Sequence, residues 1–396
     1  MFKDVVIVSA TRTAIGSFGG SLKDVSCVDL GATVIKESIL QAKIAPEKVE
    51  EVVLGCVGQH GWSPFLARLA ALKAGCSIES TGQTVNRLCA SGLQAVVTAA
   101  MLIDRDDAKV CIAGGVENMS GYPYHSYNMR WGKKMGNAEL IDSLSVALGE
   151  PVAGDEGNNI HIANTAENVA QKYQITRQEA DEYALNSQLK ALTAIAEDRF
   201  VDEIVAIEVP EGRATRCFKV DEYPRSTSLE KLGKLRPILG KDGVITAGNA
   251  SGINDGAAAM LITNTKTATD NGCNVGWKII DYAVAGVEPE YMGMGPVLAT
   301  NKLLAKVGKT VDEIDLWEVN EAFAVQALAC IRELGIPEDK VNVNGSGISL
   351  GHPIGATGAI ISVKLLHEMK RRDAKYGIAT LCIGGGQGLS VLYENV

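Results

Sequence analysis

Hydrophobic and polar positions along the first third of the chain fall into short alternating blocks. Val5–Ser9, opening with the apolar run Val5-Val6-Ile7-Val8, reads as a strand. It is followed by the loop Thr11-Arg12-Thr13-Ala14-Ile15-Gly16-Ser17-Phe18-Gly19-Gly20 and by helical periodicity near Val28–Ala42. Pro46-Glu47-Lys48-Val49 leads into a second strand, Glu51–Gly55, and Ala67–Ala74 reads as a helix. After the turn Ser80-Thr81-Gly82-Gln83 comes β-prone Thr84-Val85. From Ala90 onward Leu93, Val96, Val97, Ala100 and Met101 recur at helical spacing. Lys109–Gly115 is a further buried strand. Strands alternating with helices predict a mostly parallel sheet covered on both faces.

The last third repeats this grammar roughly 260 residues later. Thr310-Val311-Asp312-Glu313-Ile314-Asp315-Leu316 parallels Pro46–Val52. Lys340-Val341-Asn342-Val343-Asn344 parallels the turn before Val85-Asn86. Cys382-Ile383-Gly384-Gly385-Gly386 parallels Cys111-Ile112-Ala113-Gly114-Gly115. Two similar α/β halves are predicted, with chance likeness of generic strand–helix units as the alternative. Between them, over about 120–245, the character changes. Tyr122–Tyr127 is irregular and aromatic, and Gly149–Asn159 is a turn-rich loop. Thr165-Ala166-Glu167-Asn168 is read as a helix start, and Thr176-Arg177-Gln178-Glu179 as a capping box opening another.

Composition narrows the class. The 396 residues are 46% hydrophobic and 5% aromatic, with 42 glycines, which suits an α/β protein. No apolar run reaches the roughly 18 residues of a membrane span, and the N-terminus has no signal-peptide layout. Nine cysteines without pairing spacings point to a reducing, cytoplasmic setting. No CxxC or Cys/His cluster suggests a metal. A net charge of −9 argues against nucleic acid. Within this acidic chain Arg213, Arg216, Lys219, Arg225, Lys231, Lys234 and Arg236 form a local positive excess. That is either a solvated surface or a site for phosphates.

Chemistry concentrates at the strand ends. Cys89 sits where a strand hands over to a helix, and the unpaired amides of a helix start favour a thiolate. Ala90, Ser91 and Gly92 beside it are small enough for a substrate to approach. Cys89 is thus a candidate nucleophile, with a buried structural thiol as the alternative. His352, between Gly351 and Pro353 in a glycine-dense stretch, is a candidate base, with a satisfied loop histidine as the alternative. Cys382 ends the last strong strand, where ligands bind in open α/β sheets, and the glycines after it expose N–H groups suited to an oxyanion. Asn320-Glu321 likewise follows a strand, Asp315–Val319.

Taken together, these blocks resemble the thiolases, acyl-CoA:acetyl-CoA acyltransferases, and in particular their short-chain members. The likeness runs through Arg12–Gly16, Val85–Gly92, Gly114–Ser120, Thr165–Ala170, Thr246–Gly252, Asn320–Phe323, Leu350–Pro353 and Cys382–Gly386. It implies a thiolase fold: two duplicated α/β halves forming a five-layer αβαβα core, with an inserted loop domain. The first half would span 1–119 and 246–270, the cover over coenzyme A 120–245, and the second half 271–396. The resemblance also implies a homotetramer, coenzyme A as substrate and product with no resident cofactor, and acetyl-CoA and acetoacetyl-CoA as the molecules acted on. In this pattern Cys89 is acylated and His352 activates it. Cys382 moves the proton of the second substrate, Asn320 holds a water, and Gly384 contributes an oxyanion N–H. Arg225, Ser251, His161, Leu239, Ala247, Met292 and Phe323 match positions around coenzyme A and the acyl group.

Departures from the family pattern are Cys89-Ala90-Ser91-Gly92 for Cys-Gly-Ser-Gly, and Gly345-Ser346-Gly347-Ile348-Ser349-Leu350 before Gly351. His161-Ile162-Ala163 replaces His-Met-Gly, and Leu239 stands where phenylalanine is common. None removes a catalytic side chain. A decarboxylating ketoacyl synthase would use Cys with two His, and a synthase of the HMG-CoA type would use Cys, His and Glu. Cys382 as third member favours a thiolase. Readings that stay open are a broad-range degradative 3-ketoacyl-CoA thiolase and, in another class, a catalytically silent CoA- or lipid-binding protein of this fold.

Overall fold

The computed structural model describes residues 1–61, 63–127, 129–151 and 159–396. In the first half β1 (Val6–Thr13) is followed by α1 (Cys27–Ala42), β2 (Glu51–Gly55), α2 (Leu66–Ala74), β3 (Thr81–Val85), α3 (Ser91–Asp104) and β4 (Val110–Asn118). The middle segment carries α4 (Ile162–Lys172) and α5 (Arg177–Ala196). Then come β5 (Asn254–Thr263), β6 (Trp277–Gly286), α6 (Gly295–Val307), β7 (Leu316–Val319), α7 (Ala324–Leu334), α8 (Ile354–Arg372), β8 (Tyr376–Ile383) and β9 (Gln387–Asn395).

Five strands lie in the order β1-β5-β4-β2-β3 and four in the order β6-β9-β8-β7. The two sets meet between β1 and β6, where Val6 pairs with Lys278 and Ile7 with Trp277. The expected mostly parallel sheet is overturned. Only β2–β3, β2–β4 and β7–β8 run parallel among these strands. The pairs β1–β5, β4–β5, β6–β9 and β8–β9 are antiparallel. Two features of the chain path reverse the direction. β5 enters after the long middle excursion, and β9 follows β8 directly through Gly384-Gly385-Gly386. A connection that short joins only antiparallel strands; Gly385 and Gly386 make it with φ of +79° and +76°.

The duplication holds at the level of topology. β2, β4 and β5 have β7, β8 and β9 as counterparts in the same order, and 3-10 turns at Pro46–Lys48 and Val311–Glu313 precede β2 and β7. The counterpart of β3 is reduced to one parallel bridge, Trp317 with Val341. α1 and α2 pack on the outer face of the first half, and α6 on β6, β8 and β9 of the second. Between the halves lie α3 and α8, which pack on each other and on strands of both.

α8 is buried along most of its length, so apolar and small residues surround it rather than forming one stripe. Its contact with α3 depends on missing side chains. A Cβ on Gly92 would lie 2.8 Å from the Ala359 nitrogen, and one on Gly358 would lie 2.5 Å from the Leu93 nitrogen.

The middle segment docks on both halves. Ile204–Val205 pairs with β1, and α4 and α5 pack on α7. α5 opens with the expected Thr176–Glu179 capping box. α4 starts earlier than expected, capped by His161. Thr165 is inside the helix, its hydroxyl bonded to the Ile162 carbonyl at 2.7 Å. Of the turn-rich loop, Gly149–Pro151 pairs with Asn159–His161, and 152–158 lie outside the described residues. No helix among the described residues is long and apolar enough to cross a membrane.

Candidate active site

Cys89 lies between β3 and α3, as the switch in periodicity predicts. The turn that presents it is tight. Leu88 has φ of +46°, uncommon for a side chain without a polar group. Ser91 holds the turn closed: its hydroxyl accepts from the Arg87 amide at 2.9 Å and donates to the Leu88 carbonyl at 2.7 Å. α3 has no side-chain cap at its start. Cys89 is buried but borders a cavity of about 780 Å³.

His352 reaches the same cavity from the start of α8. Its amide donates to the Asn254 side-chain oxygen at 2.9 Å, and the Asn254 amide group donates to the Gly16 carbonyl at 3.0 Å. Gly351 adopts φ of +114° against Asn254, where a Cβ would come within 2.5 Å. The ring is buried, and burial pushes its pKa down to about 4. Nδ1 lies 2.7 Å from the Thr357 hydroxyl, which lies 2.9 Å from the Pro353 carbonyl.

Beneath this loop, Glu117 at the end of β4 ties three backbone segments together. Its carboxylate accepts from the amides of Val57 and Gly58 at 2.9 Å and of Gly355 at 2.8 Å, and from the Tyr122 hydroxyl at 3.1 Å. Burial pushes its pKa up against these bonds.

Gly384, in the turn after β8, borders the cavity, whereas Cys382 and Asn320 lie behind its wall, fully buried. Cys382 belongs to the apolar cluster that contains Met292 and Phe323, and both of these do line the cavity. The Asn320 backbone is fixed by its N–H, which donates to the Thr380 carbonyl at 3.0 Å. Both polar atoms of its side chain are buried with no protein partner. Glu321 is the opposite case. It accepts from Tyr183 at 3.1 Å, Ser187 at 2.6 Å, Asn342 at 3.1 Å and the Ile348 amide at 3.2 Å.

Of the positions expected around coenzyme A, His161, Ala247, Ser251, Met292 and Phe323 border the cavity. His161 accepts the Ala163 amide on Nδ1 at 3.1 Å as the cap of α4. The Ser251 amide donates to the Ala322 carbonyl at 2.9 Å. Arg225 lies outside the lining, its guanidinium 3.3 Å from the Ala247 carbonyl and stacked 5.0 Å over Tyr223, which is itself a wall residue. Leu239 packs into the core of the second half, and its neighbour Ile238 faces the cavity instead.

Sequence reading missed Leu88, Glu117, Asn254 and Thr357 as site residues. Glu117 stands in the strand-end block Gly114–Ser120, and Thr357 one turn into the helix after Gly351-His352-Pro353. Asn254 meets His352 across 98 residues and Glu117 meets Gly355 across 238, which no local pattern encodes.

A cavity walled by two duplicated α/β halves and the middle segment, bordered by a cysteine and a histidine at the starts of the two central helices, defines a thiolase-type site. The family model for the N-terminal domain of thiolase matches residues 5–266, and that for the C-terminal domain matches 274–395. The chain belongs to the thiolase family. It is 49% identical over 391 residues to an acetyl-CoA acetyltransferase of Pseudomonas aeruginosa, covering 98% of each chain. Its structure matches a Bacillus anthracis acetyl-CoA acetyltransferase with TM-score 0.96 at 45% identity, over 100% of this chain and 99% of that one. It also matches a human mitochondrial 3-ketoacyl-CoA thiolase in complex with CoA, with TM-score 0.95 at 41% identity, over 100% and 98% of the two chains.

Proposed function

We propose that this protein is an acetyl-CoA C-acetyltransferase. It joins two acetyl-CoA into acetoacetyl-CoA and CoA, or cleaves acetoacetyl-CoA with CoA, through an acyl-Cys89 intermediate. The observation that carries the reading is the meeting of Cys89, His352 and Gly384 on one largely apolar cavity in a full-length family member.

Cys89 attacks the thioester carbon while the neutral His352 ring takes the thiol proton. The oxyanion of that step is held by the N–H groups of Cys89 and Gly384. CoA thiolate leaves as CoA–SH by taking the proton of the Cys382 thiol, so His352 keeps the Cys89 proton on Nε2 and Cys382 is left as a thiolate. Cys382 then removes a methyl proton from acetyl-CoA, and the carbanion attacks the acyl carbon and releases Cys89. The enolate oxygen of that step is met by His352 and by a water on Asn320. The unpartnered, buried amide of Asn320 suits such a water. Ser251, His161, Ala247 and, in place of the expected Leu239, its neighbour Ile238 would shape the pantetheine channel, Met292 and Phe323 the acyl end, and Arg225 the nucleotide end. Residues 120–245 would act as the cover, between halves 1–119 with 246–270 and 271–396.

On the same reading the protein works in the cytoplasm, where its nine cysteines, spaced without a pairing pattern, suit a reducing medium. It would be a homotetramer; the exposed Trp131, Met135 and Leu140 offer apolar surface for a second copy.

The test is to mix the protein with acetoacetyl-CoA and CoA and follow the enolate absorbance. Loss of absorbance with formation of acetyl-CoA is expected, and Cys89→Ser should abolish it while CoA still binds. Absorbance that persists while CoA binds would turn the reading to a silent CoA-binding protein.

A further inference from the structure

We propose that Thr357 is a positioning residue: its hydroxyl holds the His352 ring as the Nδ1–H tautomer and leaves Nε2 as the proton acceptor. This rests on the reading of His352 as the base that activates Cys89. The Thr357 oxygen lies 2.7 Å from Nδ1 and 2.9 Å from the Pro353 carbonyl oxygen. A hydroxyl has one hydrogen. If it donated to Nδ1, two oxygens carrying lone pairs would face each other at 2.9 Å with no proton between them. If it donates to Pro353, as a buried threonine one turn into a helix does, its lone pair is turned to the ring and Nδ1 must carry the hydrogen. All three groups are buried, so no bulk water offers Nδ1 another partner. Pro353 is the residue next to His352, so ring and hydroxyl are registered by one turn of α8.

The proton step then balances on named atoms. The Sγ–H bond of Cys89 breaks, an Nε2–H bond forms, and the ring becomes a cation whose Nδ1–H bond to Thr357 strengthens as its donor gains charge. With the other tautomer, Nε2 already carries a hydrogen and accepts nothing. A triad residue that orients a histidine acts in the same way, here through a neutral hydroxyl instead of a carboxylate.

Thr357→Val keeps the shape and removes the hydroxyl. The expected result is a fall in kcat of about 100-fold, the scale of one misdirected general base, with KM and CoA affinity within about twofold. Thr357→Ser restores the hydroxyl and should recover most of kcat, which a purely packing role would not produce. His352→Ala is run beside them. If it is inactive while Thr357→Val keeps wild-type kcat, the positioning role is overturned and the base reading stands. If His352→Ala stays active, both fall. A measurement on the wild type needs no variant to fold. Solid-state ¹⁵N spectra of histidine-labelled protein should show His352, assigned by the signal lost in His352→Asn, with a protonated Nδ1 and a bare Nε2. The reverse pattern overturns the proposal.

Discussion

A buried neutral imidazole makes stability depend on acidity. Unfolded, His352 takes a proton near its usual pKa of about 6.5; folded, it resists protonation down to about 4. Its contribution is whole above about 6.5 and is lost as the pH falls toward 4, by roughly 3 kcal/mol for a gap of this size. His352→Asn removes this dependence. The urea midpoints of wild type and variant, measured from pH 7.5 to 4.5, should therefore draw together as the pH falls. Midpoints that stay a constant distance apart would show that the ring is not held neutral. Cys89, His352 and Cys382 were readable as candidates because each stands at a junction of local patterns: strand to helix, glycine to proline, strand to glycines. Thr357 and Asn254 were not, because their roles are defined by the atoms they meet. Ile238 and Leu239 show the same limit at a single step. The chain offers both as apolar, and packing decides that Ile238 faces the cavity.

At the scale of elements, Glu117 joins the end of β4, the loop after β2 and the first turn of α8 through the amides of Val57, Gly58 and Gly355. Glu117→Gln replaces an acceptor-only group with one that must also donate, leaving at least one amide facing an N–H. A loss of about 1–3 kcal/mol is expected by chemical denaturation, the cost of one buried unsatisfied group. An unchanged midpoint would mean that the junction relaxes freely. Gly355→Ala strikes the same junction sterically. Its Cβ would fall 2.5 Å from Glu117 Oε2 and 2.8 Å from the Cys56 Cα, so a comparable or larger loss is expected by the same measurement. The strands and helices around this junction were largely visible in sequence. Their directions were not, since alternation of strand and helix is equally compatible with a crossover into an antiparallel pair once a long insertion intervenes. The cap of α4 lies four residues before the expected Thr165, because the ring nitrogen of His161 takes the capping role that the pattern assigns to a hydroxyl.

For the whole molecule, the repeated sequence blocks were enough to anticipate two halves, and the topology repeats them down to the 3-10 turn before β2 and β7. What they could not supply was how the middle segment closes over the site, which depends on surfaces brought together from both halves. The cavity has Met292 and Phe323 at its second-half wall and Val146–Gly149 from the middle segment opposite in sequence. Both bulky side chains are almost wholly buried, and on the proposed function they would set the length of acyl chain that fits. Acetoacetyl-CoA is the expected best substrate, with five- and six-carbon 3-ketoacyl-CoA used about tenfold to a hundredfold less well. Met292→Ala should raise kcat/KM for 3-ketooctanoyl-CoA relative to acetoacetyl-CoA. Equal wild-type turnover of the eight- and four-carbon thioesters would place the enzyme with broad-range degradative thiolases.

The cavity also gathers the beginnings of α3, α4, α7 and α8: the caps His161 and Phe323 of α4 and α7 border it, as do Cys89 and His352, each one residue before the cap of α3 or α8. Each helix start carries about half a positive charge, so the space is held at a raised potential before any substrate arrives. Thiolate, enolate and tetrahedral oxyanion all carry one negative charge, and each is favoured by that same standing field. A field fixed in the backbone lowers a barrier equally from either side. It gives the protein no preference between making a carbon–carbon bond and breaking one, and leaves that choice to the relative concentrations of acetyl-CoA, acetoacetyl-CoA and free CoA.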